Sequence, residues 1–140
     1  GAKVIEADSE DTANGNVAAH AIDGDPETFW DSRWQPTNDP MPHHLTVDIG
    51  RAVTLNGITY LPRQDMANGR IADCEIYCST EPNSWAGLVA KVKWPNTDQL
   101  QTLDFKQPVK ARYMKVVARS EVNGQPFASI AELDVLTDEQ

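Results

Sequence analysis

The order of apolar and polar residues along this chain predicts strands. Leu45-Thr46-Val47-Asp48-Ile49 alternates and stops at Gly50, as a strand with one buried face should. Runs of similar character cover 53–61, 71–79, 88–94, 101–105, 111–118 and 130–136. Clusters of Pro, Gly, Asn and Asp separate them at 36–42, 65–69, 81–83, 95–98 and 123–126. No long segment has a 3.6-residue period, although 13–21 has room for a helical turn. Short strands punctuated by turns predict an all-β fold, an antiparallel β-sandwich. No repeat, low-complexity tract or linker interrupts the pattern, so residues 1–140 are expected to form one domain.

Composition narrows the partners. A hydrophobic fraction of 40% with four Trp suits a folded core rather than a disordered chain. The formal charge is −9 and no run of Lys or Arg is present, which argues against nucleic acid and disfavours an anionic membrane surface. No stretch approaches the roughly 18 apolar residues of a membrane span. The chain opens with Gly rather than Met, as expected of an excised domain with Gly1 a cloning remnant. Cys74 and Cys78 fall in one predicted strand, about 13 Å apart at roughly 3.3 Å per residue. A disulfide needs its Cα atoms within about 7 Å, so the two are read as core residues rather than partners.

The densest chemistry lies in Ala21-Ile22-Asp23-Gly24-Asp25-Pro26-Glu27-Thr28-Phe29-Trp30. Hard cations such as calcium take six to eight oxygens from carboxylates, hydroxyls and carbonyls. An Asp-Gly-Asp turn supplies several, and its spacing is not that of an EF-hand. An ordinary Asx turn with solvated acids is the competing reading.

This loop, with Ser32-Arg33-Trp34, resembles the opening signature of the F5/8 type C, or discoidin, domain. More narrowly it is similar to family 32 carbohydrate-binding modules and the N-terminal domain of galactose oxidase. The resemblance continues in order through Leu45 to Gly50, Tyr60-Leu61-Pro62-Arg63-Gln64-Asp65, Glu75-Ile76-Tyr77 and Ala111-Arg112-Tyr113. Glu121 to Phe127 and Ser129-Ile130-Ala131-Glu132-Leu133 complete it. It implies a jelly-roll β-sandwich with a structural calcium joining the two chain ends. The implied ligands are the His20 carbonyl, Asp23, Asp25, Thr28, the Ala131 carbonyl and Glu132. Sodium or water is the alternative occupant.

The resemblance also implies a sugar site made of Asp31, Trp34, Arg63, Asn68 and Phe127. The chemistry suits a pyranose, whose C–H faces stack on aromatic rings and whose hydroxyls need fixed donors and acceptors. Asp31 stands where galactose-binding members carry His, and an ionised Asp only accepts hydrogen bonds. That departure points to a different hydroxyl pattern, an amino sugar or an inactive pocket.

Competing structural readings apply to most of these residues. Trp30 is expected in the core and Trp34 at a ligand, while Phe127 serves either role. Arg63 has Asp65 as an alternative partner. Trp85 and Trp94 are given no function. His43 and His44 point to opposite strand faces and so do not chelate one ion together. Ser84 and Ser129 lack a base partner and no nucleophile elbow is present, so no catalytic residue is assigned. The reading that results is a non-catalytic module that holds a terminal sugar. It is expected to be monomeric, tethered to a larger carbohydrate-active enzyme or adhesin, and extracellular, on the cell surface or periplasmic. The alternatives are a lipid- or protein-binding adhesive discoidin domain and a structural sandwich with a degenerate pocket.

Overall fold

The computed structural model describes residues 1–138. Its strands are β1 (Lys3–Ala7), β2 (Trp30–Asp31), β3 (His43–Leu61), β4 (Asp73–Ser79), β5 (Leu88–Lys93), β6 (Gln101–Ala118), β7 (Ser129–Ile130) and β8 (Glu132–Thr137). The frame is an antiparallel ribbon of the two long strands, from the pair His43 and Ala118 to the pair Tyr60 and Gln101. At one end of the ribbon β1 pairs the outer edge of β3, while β4 and then β5 extend the sheet beyond β6. At the other end β8 takes the same edge of β3, from Leu55 to Leu61. A separate ladder joins β2 to β7 through Trp30 with Ile130 and Asp31 with Ser129.

Two predicted strand pairs are therefore single strands. The runs 45–49 and 53–61 belong to β3, and 101–105 and 111–118 belong to β6. Their polar interruptions are irregularities in register, between Asp48 and Val53 and between Leu55 and Gly57, and not turns. Pro108 falls in the second irregularity, where the ladder does not need its missing N–H. Gly57 is obligatory there, because an added Cβ would lie 2.3 Å from the Leu103 carbonyl oxygen. The region 13–21 holds short 3-10 turns at Thr12–Asn14 and Ala18–Ile22. The sequence pattern did not anticipate β1, and 130–136 divides into β7 and β8.

Trp30, Leu45, Leu55, Ile58, Tyr60, Ile76, Met114 and Ile130 form the centre of the core, each at most 2% exposed. Burying a side chain of this size contributes about 1.5–3 kcal/mol. Trp30 is thus a core residue, with its indole N–H donating to the Ser9 carbonyl at 2.8 Å. Trp94 packs on Tyr60 at 5.5 Å between ring centroids. Cys74 and Cys78 are buried and unpaired, and burial pushes both thiols up to about 12. The Trp85 ring lies near Lys115 of β6, 6.0 Å from ring centroid to ammonium.

Candidate functional site

Three loops meet at one end of the fold, each fixed by buried polar residues. The first follows β2. The Ser32 N–H donates to the Ala128 carbonyl at 2.9 Å, and the Ala128 N–H returns to Ser32 Oγ at 3.0 Å. Within this loop the Trp34 indole N–H donates to Asp11 Oδ2 at 3.0 Å. Asp11 is fully buried and also accepts from the side chains of Asn14 and Asn16, so the ring is held by an anchored carboxylate.

The second loop follows β3 and the third precedes β7. Glu121 joins them: its carboxylate accepts from Gly69 N at 2.9 Å, Asn123 N at 2.6 Å and Gln125 N at 3.1 Å. Gly69 has φ +84°, and a Cβ there would lie 2.5 Å from Ser129 Oγ, so only glycine lets the second loop pack this closely. The Tyr60 hydroxyl accepts from Ile71 N at 3.1 Å and donates to the Ser129 carbonyl at 3.2 Å, securing both loops from below. His43 secures the third loop and the first through the carbonyls of Pro126 at 2.6 Å and Asp39 at 3.1 Å. Its other nitrogen faces Asp8 at 2.8 Å. Burial alone lowers the His43 pKa, but the Asp8 carboxylate and the two carbonyls raise it above the usual value. His44, on the opposite face, pairs with Glu6 at 2.9 Å, so the two histidines do not converge.

Between these loops lies a cavity of about 270 Å³ lined by Asp31, Trp34, Arg63, Met66, Asn68 and Phe127. All five residues assigned to the sugar site from sequence line it. Trp34 and Met66 are 39% and 45% exposed, so each presents apolar surface to solvent, and Phe127 is half-buried. Arg63 does pair with Asp65, through Nε at 2.6 Å and Nη2 at 3.1 Å, and its guanidinium lies 4.1 Å from the centre of the Phe29 ring. The pairing with Asp65 and the place on the cavity wall are compatible, because Nη1 is outside the bidentate contact.

The surroundings of Asp31 add to the sequence reading. Its side chain is buried, Oδ1 has no hydrogen-bond partner, and Oδ2 is 3.7 Å from Arg63 Nη1, beyond a hydrogen bond. Burial pushes this carboxyl up to about 7; Arg63 and His43 oppose the shift and Asp11 adds to it. Near neutral pH the carboxyl therefore exists in both forms, one able to donate and one only to accept.

The residues implied as calcium ligands lie elsewhere, where the Ala18–Ile22 turn packs on β8. Asp23 Oδ1 accepts from Asp25 N at 2.9 Å, and Asp23 Oδ2 accepts from the Thr28 hydroxyl. The Asp25 side chain is turned to Glu27 N at 2.9 Å, while its carbonyl accepts from Thr28 Oγ1 at 3.2 Å. Glu132 arrives from the start of β8 beside Asp23, and its buried Oε1 has no partner. Burial first, then the Asp23 carboxylate, push Glu132 up to about 7. Burial also raises Asp23, but Thr28, Asp25 N–H and Glu132 hold it below its usual value. Ala131 is buried, with its N–H donating to the Leu61 carbonyl at 3.0 Å; His20 is half-buried with an unpartnered Nδ1.

Among the described residues no three His, Cys, Asp or Glu side chains gather as a metal cluster. A hard cation here would have to draw on carbonyl and hydroxyl oxygens as well as carboxylates, as such ions commonly do. The unpartnered Glu132 oxygen beside Asp23 fits that demand, and these residues are all hard oxygen donors apart from the His20 ring.

Met66, Asp11 and Glu121 were not identified from sequence. Met66 sits between assigned Arg63 and Asn68, and that bracketing by two pocket residues was the available signal. Asp11 and Glu121 act from a distance, and only their burial reveals them.

The chain matches the F5/8 type C domain over residues 4–133. It is 38% identical to a sialidase of Micromonospora viridifaciens over 135 residues, covering 94% of this chain and 21% of the relative. It is 39% identical to a galactose oxidase of Gibberella zeae over 124 residues, covering 87% and 18%. The chain thus spans about a fifth of the length of these relatives. It superposes on CpGH89CBM32-5 from Clostridium perfringens, solved with GalNAc-β-1,3-galactose, with TM-score 0.87 and 35% identity, covering 97% of this chain and 95% of that one. With the sandwich, the three-loop cavity and a match across nearly its whole length, this chain belongs to the F5/8 type C domain family.

Proposed function

We propose that this chain is a non-catalytic carbohydrate-binding module that holds a terminal sugar of a glycan in the three-loop cavity. The observation that carries the reading is the convergence of Asp31, Trp34, Arg63, Asn68 and Phe127, distant in sequence, on one cavity of about 270 Å³. Trp34, Met66 and Phe127 offer apolar surface for the C–H faces of a pyranose. Arg63, Asn68 and Asp31 supply the polar contacts that orient its hydroxyls. The solved neighbour with a bound GalNAc-β-1,3-galactose supports this class of ligand. Few groups are immobilised around such a ligand, so binding is weak, and tethering to a larger extracellular protein raises its effect through local concentration.

A structural calcium accompanies this reading, held by Asp23, Asp25, Thr28 and Glu132 with the carbonyls of His20 and Ala131. When bound, the ion screens the repulsion between Asp23 and Glu132 and ties β8 to the loop at 23–28.

A glycan array probed with the wild-type chain and with Trp34→Ala tests the binding site. Wild type is expected to retain specific glycans, and Trp34→Ala to lose at least about ten-fold in affinity, equivalent to about 1.4 kcal/mol, while still folding cooperatively. Undiminished retention by the variant removes Trp34 from the site, and silence of folded wild type on every glycan refutes the proposal.

A further inference from the structure

Asp31 is an unusual group to find on a sugar-binding surface. It is 2% exposed, lies on the cavity wall, and one of its oxygens has no partner. A buried carboxylate is costly unless it is paired. The nearest cation is shared: Arg63 directs Nε and Nη2 at Asp65 and reaches Asp31 Oδ2 only through Nη1, at 3.7 Å, an ion pair without a hydrogen bond. His43 is committed to Asp8 and to the carbonyls of Asp39 and Pro126. Asp11 adds a second buried acid, since its own N–H donates to the Asp31 carbonyl at 2.8 Å and its carboxylate holds Trp34. The groups facing Asp31 are therefore Arg63 from the second loop, His43 from β3 and Asp11 from the segment before the first 3-10 turn. Arg63 is thus divided between two carboxylates, Asp31 and the more exposed Asp65, and the whole chain carries a formal charge of −9.

We infer that the cavity selects a sugar bearing a free ammonium group, a 2-amino-2-deoxyhexose residue, whose cation sits over the Asp31 carboxylate while its ring rests on Trp34, Met66 and Phe127. This rests on the sugar-binding reading above and narrows its ligand class. A neutral hydroxyl gives Asp31 one hydrogen bond and no counter-charge, and an N-acetyl group removes the cation altogether. The ammonium supplies both a donor and a counter-charge. The apolar walls favour a saccharide over a lone amine, because a small amine leaves the aromatic surface uncovered.

The test is calorimetric titration of the whole chain with D-galactosamine, D-glucosamine, D-galactose and N-acetyl-D-galactosamine at about pH 7, where an amine of this type is largely charged. At least one amino sugar is expected to bind about ten-fold or more tightly than the two neutral sugars. Asp31→Asn keeps the shape and removes the charge, and should erase the preference by bringing the amino sugars down to the level of the neutral ones. If that variant fails to fold, repeating the wild-type titrations at about pH 5 serves instead. Protonation of Asp31, whose pKa burial has pushed up to about 7, should then shrink the preference. Equal or tighter binding of galactose or N-acetylgalactosamine by wild type overturns the inference and leaves the carbohydrate-binding reading standing. So does an amino-sugar preference that survives in folded Asp31→Asn. Failure of all four sugars overturns the inference, and only silence across the glycan array also overturns the broader reading.

Discussion

Asp31 and Glu132 make an informative pair. Each is a carboxyl with one unpartnered buried oxygen, and burial pushes each up to about 7. Their neighbours differ in sign. Beside Glu132 the next influence is the Asp23 carboxylate, a like charge that raises it further. Beside Asp31 it is Arg63, an opposite charge 3.7 Å away that lowers it and is shared with Asp65. Two acids facing one another call for a cation between them, whereas an acid that shares its one cation on a cavity wall leaves an oxygen for a ligand's donor. On the reading proposed above, similar shifts mark two different sites, one for a structural cation and one for a ligand.

Three measurements break or sharpen this contrast. The largest effect is expected at Glu132. Calcium at about 100 times its Kd should stabilise the fold by about 2.7 kcal/mol, raising the melting temperature by several degrees. Excess EDTA should reverse the gain and Glu132→Gln should prevent it. A melting curve indifferent to both calcium and EDTA refutes the clasp.

A smaller effect of opposite sign is expected at Asp31. Its folded pKa of about 7 lies above the ordinary carboxyl value of 3.8, so between the two the folded state keeps a proton that the unfolded state releases. Its contribution is harmless below about pH 4, becomes destabilising as pH rises toward 7, and is constant above that. Asp31→Asn should therefore stabilise calcium-loaded protein at about pH 8, by on the order of 1–3 kcal/mol, and flatten its pH profile between 4 and 7. Denaturant unfolding across pH checks this, and a variant less stable than wild type at pH 8 contradicts it.

The smallest expected change in stability comes from Gly69→Ala. Its φ of +84° and the contact with Ser129 imply a loss of about 1–2 kcal/mol. Because this glycine packs the loop carrying Arg63, Met66 and Asn68, glycan affinity should fall while the calcium-dependent rise in melting temperature persists. If the calcium response disappears as well, the two regions are not independent.

The alternation in Leu45 to Ile49 and the parity of Cys74 and Cys78 were legible because side-chain direction in a strand follows period two. The long strands were not legible as continuous. Gly50-Arg51-Ala52 and Lys106-Gln107-Pro108 are exposed polar stretches that look like turns, and only the pairing of β3 with β6 shows them to be irregularities in one ribbon. Residues on the cavity wall could be placed by resemblance, since Trp34, Arg63 and Phe127 lie in recognisable motifs and Asn68 follows one of them by three residues. The environment of Asp31 could not, because its shift arises from burial and from Asp11, Arg63 and His43, which come from three separate segments. Sequence gives the identity of a group, but the dielectric around it is a property of the assembled chain.

The ladder between β2 and β7 has a mechanical consequence. It is two rungs long, with Asp31 opposite Ser129 and Trp30 opposite Ile130. Thr28 and Ala131 lie just beyond one end and Asp31 stands at the other, so the proposed cation clasp and the floor of the proposed sugar cavity hang from opposite ends of one stub of backbone. Tightening one end leaves the other little slack, and a module stripped of its ion would be expected to meet its glycan with a looser floor.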